Sequence, residues 1–135
     1  ATILYIAGNL NALPLRSESV DLYLDDFSTN NCIFTYNQPP YDVLSRWLAK
    51  DAPLIGLFLD YCKTPRSIRA FQKEHPDLMT ERMSFSYAKT SLQRNGFAVT
   101  ESKIIGQTSG REMEFHHQVG REKLPFLVYR AERRE

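Results

Sequence analysis

The chain of 135 residues suits one domain, and its 42% of hydrophobic residues suffice for a core. Its 17 basic and 16 acidic side chains give a net charge of +1, so the composition does not indicate binding to nucleic acid or to a membrane surface, although nucleic acid stays open as a partner. No run reaches the roughly 18 apolar residues of a membrane span and no signal peptide is recognised, so a membrane protein is not expected.

The first elements in chain order are two apolar runs. The run from Ile3 to Ala7 opens the chain, and a tight polar turn then leads into Val20 to Leu24, which stops at Asp25 and Asp26. Such runs, bounded by turn residues, are typical of strands buried on both faces of a parallel sheet. Ligands of open α/β folds bind beyond the carboxyl edge of the sheet, so Asp25 to Ser28 are the first candidates for a site. The alternative is that the two acids form a helix N-cap and a solvated loop.

The segment from Thr29 to Gln38 is polar and carries aromatic residues, and two prolines follow it. We interpret it as a solvated loop. The alternative is that its polar side chains line a pocket for a substrate, through Asn30, Asn31, Tyr36 and Asn37.

The remaining elements alternate between helical and strand patterns. Apolar residues at helical spacing predict helices over Tyr41–Lys50, Thr64–His75 and Thr80–Asn95, the last ending at a capping Asn-Gly. Apolar runs predict strands over Leu54–Leu59, Phe97–Ile105 and Leu124–Ala131. The connection between the last two strands is longer than an ordinary hairpin loop.

The cysteines and histidines do not form a metal-binding pattern. Cys32 and Cys62 lie far apart and outside any metal-ligand spacing, so we expect free, buried thiols of a cytoplasmic protein. The adjacent His116 and His117 would point to opposite sides of an extended segment, which suits joint ligation poorly. No metal site is therefore predicted.

Two stretches resemble class I S-adenosylmethionine-dependent methyltransferases. Residues 5–15, YIAGNLNALPL, followed by SVDL at 19–22, are similar to the segment that leads into the fourth strand of that family. The matches are Gly8, Leu13-Pro14, Ser19 and Asp21. Residues 92–99, LQRNGFAV, resemble the family's turn from its last long helix into the penultimate strand.

The resemblance implies an α/β fold: an incomplete Rossmann-like methyltransferase sheet, flanked by helices and ending in a C-terminal antiparallel strand pair. The strand order of the family is 3-2-1-4-5-7-6. A Gly-rich turn after the first strand and an acid after the second hold the cofactor in that family, but the six glycines here never form a G-x-G pair. Residues 1–135 are therefore expected to be the C-terminal portion of one methyltransferase-like domain, with the N-terminal cofactor-binding half absent.

The resemblance also implies an activity. The intact parent protein would transfer a methyl group from S-adenosylmethionine to an acceptor that the sequence does not identify, and the fragment alone would be inactive. Asn9, which stands where the family usually has an Asp near the adenine, would contact the cofactor together with Leu10, Asp25 and Phe27. Asp25 and Asp26 are the catalytic candidates, because a carboxylate there can attract the sulfonium charge or take a proton from the nucleophile.

A second interpretation is a non-catalytic, methyltransferase-like module that binds a ligand or a protein as part of a larger chain. In either case the absent strands would leave the edges of Val20–Leu24 and Ile3–Ala7 unpaired, which favours pairing with another chain. We therefore expect a homo-oligomer with the edge near Val20 in its interface. The alternative is that Ile3–Ala7 itself pairs beside Val20–Leu24.

Overall fold

The computed structural model describes residues 10–62, 64–108 and 123–134. The strands are β1 (Tyr23–Asp26), β2 (Pro53–Leu59), β3 (Phe97–Gln107) and β4 (Pro125–Arg133). The α-helices are α1 (Ser28–Tyr36), α2 (Tyr41–Trp47), α3 (Pro65–Glu74) and α4 (Phe85–Arg94), and short 3₁₀ turns cover Leu10–Ala12 and Thr80–Met83. None of the helices in these ranges is long and apolar enough to cross a membrane.

The four strands form one mixed sheet in the order β1-β2-β4-β3. β1 and β2 are parallel because helices α1 and α2 carry the chain back between them, whereas β4 runs antiparallel to both β2 and β3. This is the order 4-5-7-6 of the expected sheet, so the α/β fold class with a C-terminal antiparallel pair is confirmed. The run Ile3–Ala7 lies outside the described residues.

The hydrophobic core lies between the helices and one face of the sheet. β2 contributes Leu54 and Phe58 to this face, and β4 contributes Tyr129 and Ala131. The helices bury the apolar positions that predicted them, among them Val43, Leu44 and Trp47 on α2, Phe71 on α3 and Ala88 and Leu92 on α4. α3 starts where the sequence indicates, since Thr64 and Ser67 form a capping box and Pro65 occupies the first turn.

The strand predicted at Val20–Leu24 begins later and extends further than expected. Val20 forms only an isolated parallel bridge with Leu48, and the strand proper includes both aspartates, because Asp25 and Asp26 lie in register with Gly56 and Leu57 of β2. The expectation of burial on both faces was wrong for β1. Its side chains alternate, with Asp25 buried and Leu24 exposed.

The interpretation of residues 29–38 as a loop was also wrong. Helix α1 occupies most of this segment although Ser, Thr and Asn are poor helix formers, because tertiary contacts of its side chains override that propensity. Asn37 ends the helix in the left-handed conformation, with its N–H donating to the Ile33 carbonyl. The helix predicted over 80–95 is divided at Ser84, whose hydroxyl caps α4 by accepting from the Tyr87 N–H.

Candidate functional site

Asp25 is the centre of a buried polar network at the carboxyl end of β1. Its side chain is only 3% exposed. Oδ1 accepts hydrogen bonds from the Ser28 hydroxyl at 2.6 Å and from the Thr29 N–H at 3.2 Å. Oδ2 accepts from the Thr29 hydroxyl and from the Tyr129 hydroxyl, the latter at 2.9 Å. These four donors compensate for the removal of the carboxylate from water.

The bond from Tyr129 to Asp25 crosses an intervening strand. Asp25, Gly56 and Tyr129 stand side by side on β1, β2 and β4, on the same face of the sheet. A Cβ on Gly56 would lie 2.6 Å from the ring carbons and the hydroxyl oxygen of Tyr129. The absence of a side chain at Gly56 therefore allows the Tyr129 ring to lie across β2 and reach the carboxylate.

The residue after the two acids adopts an unusual backbone conformation. Phe27 has φ 60° and ψ 15°, a left-handed conformation that is costly for a bulky residue. Its carbonyl accepts from the Asn31 N–H at 3.1 Å, and its ring packs edge-on against Phe126 with centroids 5.6 Å apart. Such conformations persist where the surroundings enforce them, and they cluster at functional sites. The turn leaves Asp26 exposed at the carboxyl edge of the sheet.

A second polar side chain attaches α1 to the sheet. Asn30 is 4% exposed, and its amide donates to the Leu59 carbonyl at 3.0 Å while its Oδ1 accepts from the Leu59 N–H at 2.9 Å. The side chain therefore completes the backbone hydrogen bonding at the end of β2. Asn30 does not line an open pocket, whereas Asn31 and Tyr36 on the same helix are exposed.

Burial keeps the Tyr129 phenol and the two cysteine thiols protonated. It raises the pKa of Tyr129 well above the ordinary value, and the neighbouring Tyr41 and Asp25 raise it further, so the hydroxyl remains a donor to the carboxylate. Burial, assisted by Asp25, raises the pKa of Cys32 to about 11. Cys62 lies elsewhere and is half-buried; its burial, with Asp60 and Glu81 beside it, raises its pKa to about 12. Neither thiol therefore has the thiolate character of a nucleophile near neutral pH.

The structure places four of the predicted site residues. Asp25, Asp26 and Phe27 are consecutive at the end of β1, with the first buried and the second exposed. Leu10 lies in the first 3₁₀ turn and packs against the hydrophobic core. Asn9, His116 and His117 lie outside the described residues. Within residues 10–62, 64–108 and 123–134, no group of three His, Cys, Asp or Glu side chains could hold a metal ion.

Sequence reasoning missed Gly56, Thr29 and Tyr129 as parts of this network. One signal was present, since a glycine inside the apolar strand LIGLFL often marks the close approach of another group. That signal does not name the approaching residue, because the register of β2 against β4 decides it.

No protein-family model matches the chain, and no curated protein is similar enough in sequence to match it. The fold, however, matches solved structures. A SAM-dependent methyltransferase from Methanosarcina mazei superposes with a TM-score of 0.64 at 12% identity, over 94% of this chain and 65% of that protein. A 16S rRNA adenine methyltransferase from Catenulisporales acidiphilia, solved with its cosubstrate SAM, gives 0.55 at 14% identity, over 95% of this chain and 60% of that protein.

The [4+2]-cyclase SpnF also matches, with a TM-score of 0.59 at 10% identity, over 96% of this chain and 55% of the cyclase. The chain thus spans two thirds or less of the length of these proteins. At such identities the likeness establishes the fold, and the fold does not by itself decide the reaction. The chain therefore has the Rossmann-like fold of S-adenosylmethionine-dependent methyltransferases, as the resemblance of residues 5–22 and 92–99 indicated.

Proposed function

We propose that the chain is the C-terminal portion of an S-adenosylmethionine-dependent methyltransferase domain. The intact parent protein would transfer a methyl group to an acceptor whose class the chain does not reveal. The observation that carries this proposal is the match of nearly the whole chain to methyltransferase structures, combined with a strained turn and an exposed carboxylate at the carboxyl edge of β1. Ligands of open α/β sheets bind beyond that edge.

The geometry supports different roles for the adjacent acids. The two oxygens of Asp25 already accept hydrogen bonds from the chain's own groups, so we propose that Asp25 positions the turn rather than accepting a proton. Asp26 is exposed and free to face a ligand. S-adenosylmethionine supplies the methyl group and a sulfonium charge when bound. An exposed carboxylate and the half-buried ring of Phe27 are groups that suit a nearby cation.

Asn9 and Leu10 are proposed to contact the adenine, as the resemblance implies. The described residues contain no G-x-G turn, so the parent is expected to supply the remaining cofactor contacts. Asp26, Phe27 and Leu10 would then form one side of a site that this chain does not complete alone.

The cofactor proposal is tested by calorimetric titration with S-adenosylmethionine and S-adenosylhomocysteine. We expect the parent to bind both at about micromolar strength, and this chain alone to bind them weakly or not at all. Asp26→Asn should weaken binding of S-adenosylmethionine about threefold and leave that of S-adenosylhomocysteine unchanged, because only the former carries the sulfonium charge.

Asp21→Asn is the matched control, since Asp21 is another exposed acid just before β1. If Asp26→Asn weakened the binding of both ligands equally, the proposal that the charge of Asp26 attracts the sulfonium would be contradicted. A parent that binds neither ligand would contradict the enzyme and favour a non-catalytic module. The SpnF match shows that this fold also hosts a reaction other than methyl transfer, so the binding test precedes any assay of methyl transfer.

We also propose that the chain associates with a second copy through the outer edge of β1. In the described ranges β1 pairs with β2 alone, and Leu22 and Leu24 are 48% and 67% exposed beside that edge. Unpaired backbone groups next to exposed apolar side chains favour strand pairing with another chain.

Light scattering after size exclusion should therefore show a dimer or larger species of this chain. Leu24→Lys should shift it toward monomer, because a charge at the paired edge opposes association. Ile105→Lys is the control, since Ile105 is 57% exposed on β3, the opposite edge strand of the described sheet. A monomer at high concentration would contradict the interface and favour pairing by Ile3–Ala7.

A further inference from the structure

Tyr129 lies far from the carboxyl-edge turn in sequence but is connected to it in space. Its hydroxyl donates to Oδ2 of Asp25 at 2.9 Å, and the ring is 1% exposed where it crosses Gly56. The contact joins β4 to β1, which are separated in the sheet by β2. The Tyr129 hydroxyl is therefore held in place by the packing of three strands.

Asp25 connects the Tyr129 hydroxyl to the first turn of α1 through hydrogen bonds. Its Oδ1 accepts from the Thr29 N–H and the Ser28 hydroxyl, and its Oδ2 accepts from the hydroxyls of Thr29 and Tyr129. The carboxylate cannot rotate without losing donors on both oxygens at once. Ser28 is held a second time, because its hydroxyl also lies 3.1 Å from the Tyr23 hydroxyl.

The hydrogen bonds to Asp25 restrain the strained backbone turn at Phe27. Phe27 precedes Ser28 directly and has the left-handed conformation that a bulky side chain disfavours. A strained residue keeps its conformation only while its surroundings enforce it. The hydrogen bonds that Ser28 and Thr29 donate to Asp25 provide that enforcement on one side, and the ring contact with Phe126 provides it on the other.

We propose that Tyr129 is a positioning residue of the site. Acting through Asp25, its hydroxyl holds the left-handed turn at Phe27 and so sets where Phe27 and Asp26 stand at the carboxyl edge. This inference rests on the proposed function for the identity of the ligand. The mechanical link from Tyr129 to the turn rests on the hydrogen bonds alone.

The test is Tyr129→Phe in the parent protein, which removes the hydroxyl and keeps the ring. Tyr61→Phe is the matched control, since Tyr61 is a second buried phenol and packs against Phe34 and Phe71. Chemical denaturation of both variants measures the loss of global stability, with which each loss of affinity is compared. Only Tyr129→Phe should weaken S-adenosylhomocysteine binding, by about tenfold, because small misplacements of a binding group have large effects. In an Asp25→Asn background Tyr129→Phe should add little further loss.

A second readout follows the turn directly. Amide hydrogen exchange at Thr29 and Asn31 should be about tenfold faster in Tyr129→Phe and unchanged in Tyr61→Phe, because their N–H groups donate to Asp25 and Phe27. If Tyr129→Phe does not fold, Thr29→Val removes the other hydroxyl donor to Oδ2 and should produce the same local exchange.

Equal losses of affinity in the two tyrosine variants, or unchanged exchange at Thr29, would overturn the proposal. A wild-type parent that binds no S-adenosylhomocysteine would refute the proposed function and with it any role of Tyr129 in holding that ligand. Faster exchange at Thr29 in Tyr129→Phe would then still support the link between Tyr129 and the turn.

Discussion

Replacing Gly56 by alanine is expected to lower the free energy of unfolding by about 3 kcal/mol, since overpacking and a lost hydrogen bond to a charged group act together. The new Cβ would lie 2.6 Å from the Tyr129 ring, which is fully buried and has β2 beneath it. Tyr129 would have to move, and its hydrogen bond to Asp25 would break. The buried carboxylate would then lose one of its donors.

Chemical denaturation measures this loss, and Gly106→Ala provides the control. Gly106 also lies in a strand, but a Cβ there would meet nothing within 4 Å, so its variant should stay within about 0.5 kcal/mol of wild type. Combining Gly56→Ala with Tyr129→Phe should cost less than the sum of the two, because both remove the same hydrogen bond. Equal stabilities of the two alanine variants would mean that the ring adapts without cost.

Asn30→Asp is expected to have an effect of similar size, about 3 kcal/mol near neutral pH, because it leaves a buried charge facing a carbonyl. The amide of Asn30 donates to the Leu59 carbonyl, and a carboxylate oxygen in its place would be repelled. Burial and this repulsion would raise the pKa of the new carboxyl in the folded state above its unfolded value of roughly 3.9.

The sign of the pH dependence follows from that raised pKa. Below the unfolded pKa the acid is protonated in both states, and its O–H can donate to Leu59 as the amide does. The deficit relative to wild type should therefore be small near pH ~4 and grow as pH rises toward the folded pKa.

Asn31→Asp is the matched control in the same helix turn. Asn31 is exposed, and a negative charge near a helix N-terminus is mildly favourable, so this variant should show no such loss. A deficit in Asn30→Asp that does not change with pH would point to lost packing instead of a buried charge. Urea denaturation across the pH range distinguishes the two outcomes.

Local patterns in the sequence were sufficient for most of the elements. Apolar residues at helical spacing located α2 and α3, and the run at 54–59 located β2 to within one residue. The acids after the apolar run Val20–Leu24 correctly marked the carboxyl edge of the sheet. These features follow from the burial of individual faces, which hydrophobic periodicity records directly.

Helix α1 could not be predicted in this way. Its residues are Ser, Thr and Asn at the start, which locally favour caps and turns. The helix forms where Asn30 pairs with the backbone of Leu59, 29 residues away along the chain. No local pattern in the sequence indicates that Asn30 has this partner.

The two aspartates show the same difference between what local sequence patterns predict and what tertiary contacts determine. The sequence alone placed Asp25 and Asp26 at the end of a strand, because an apolar run stops there. Only the tertiary structure decided that Asp25 is enclosed and Asp26 exposed, since one of the four donors to Asp25 is Tyr129, 104 residues away. Hydrophobic periodicity indicates which side chains are buried. The hydrogen-bond partners of buried polar groups depend on which strands become neighbours in the sheet, and only the folded chain determines that arrangement.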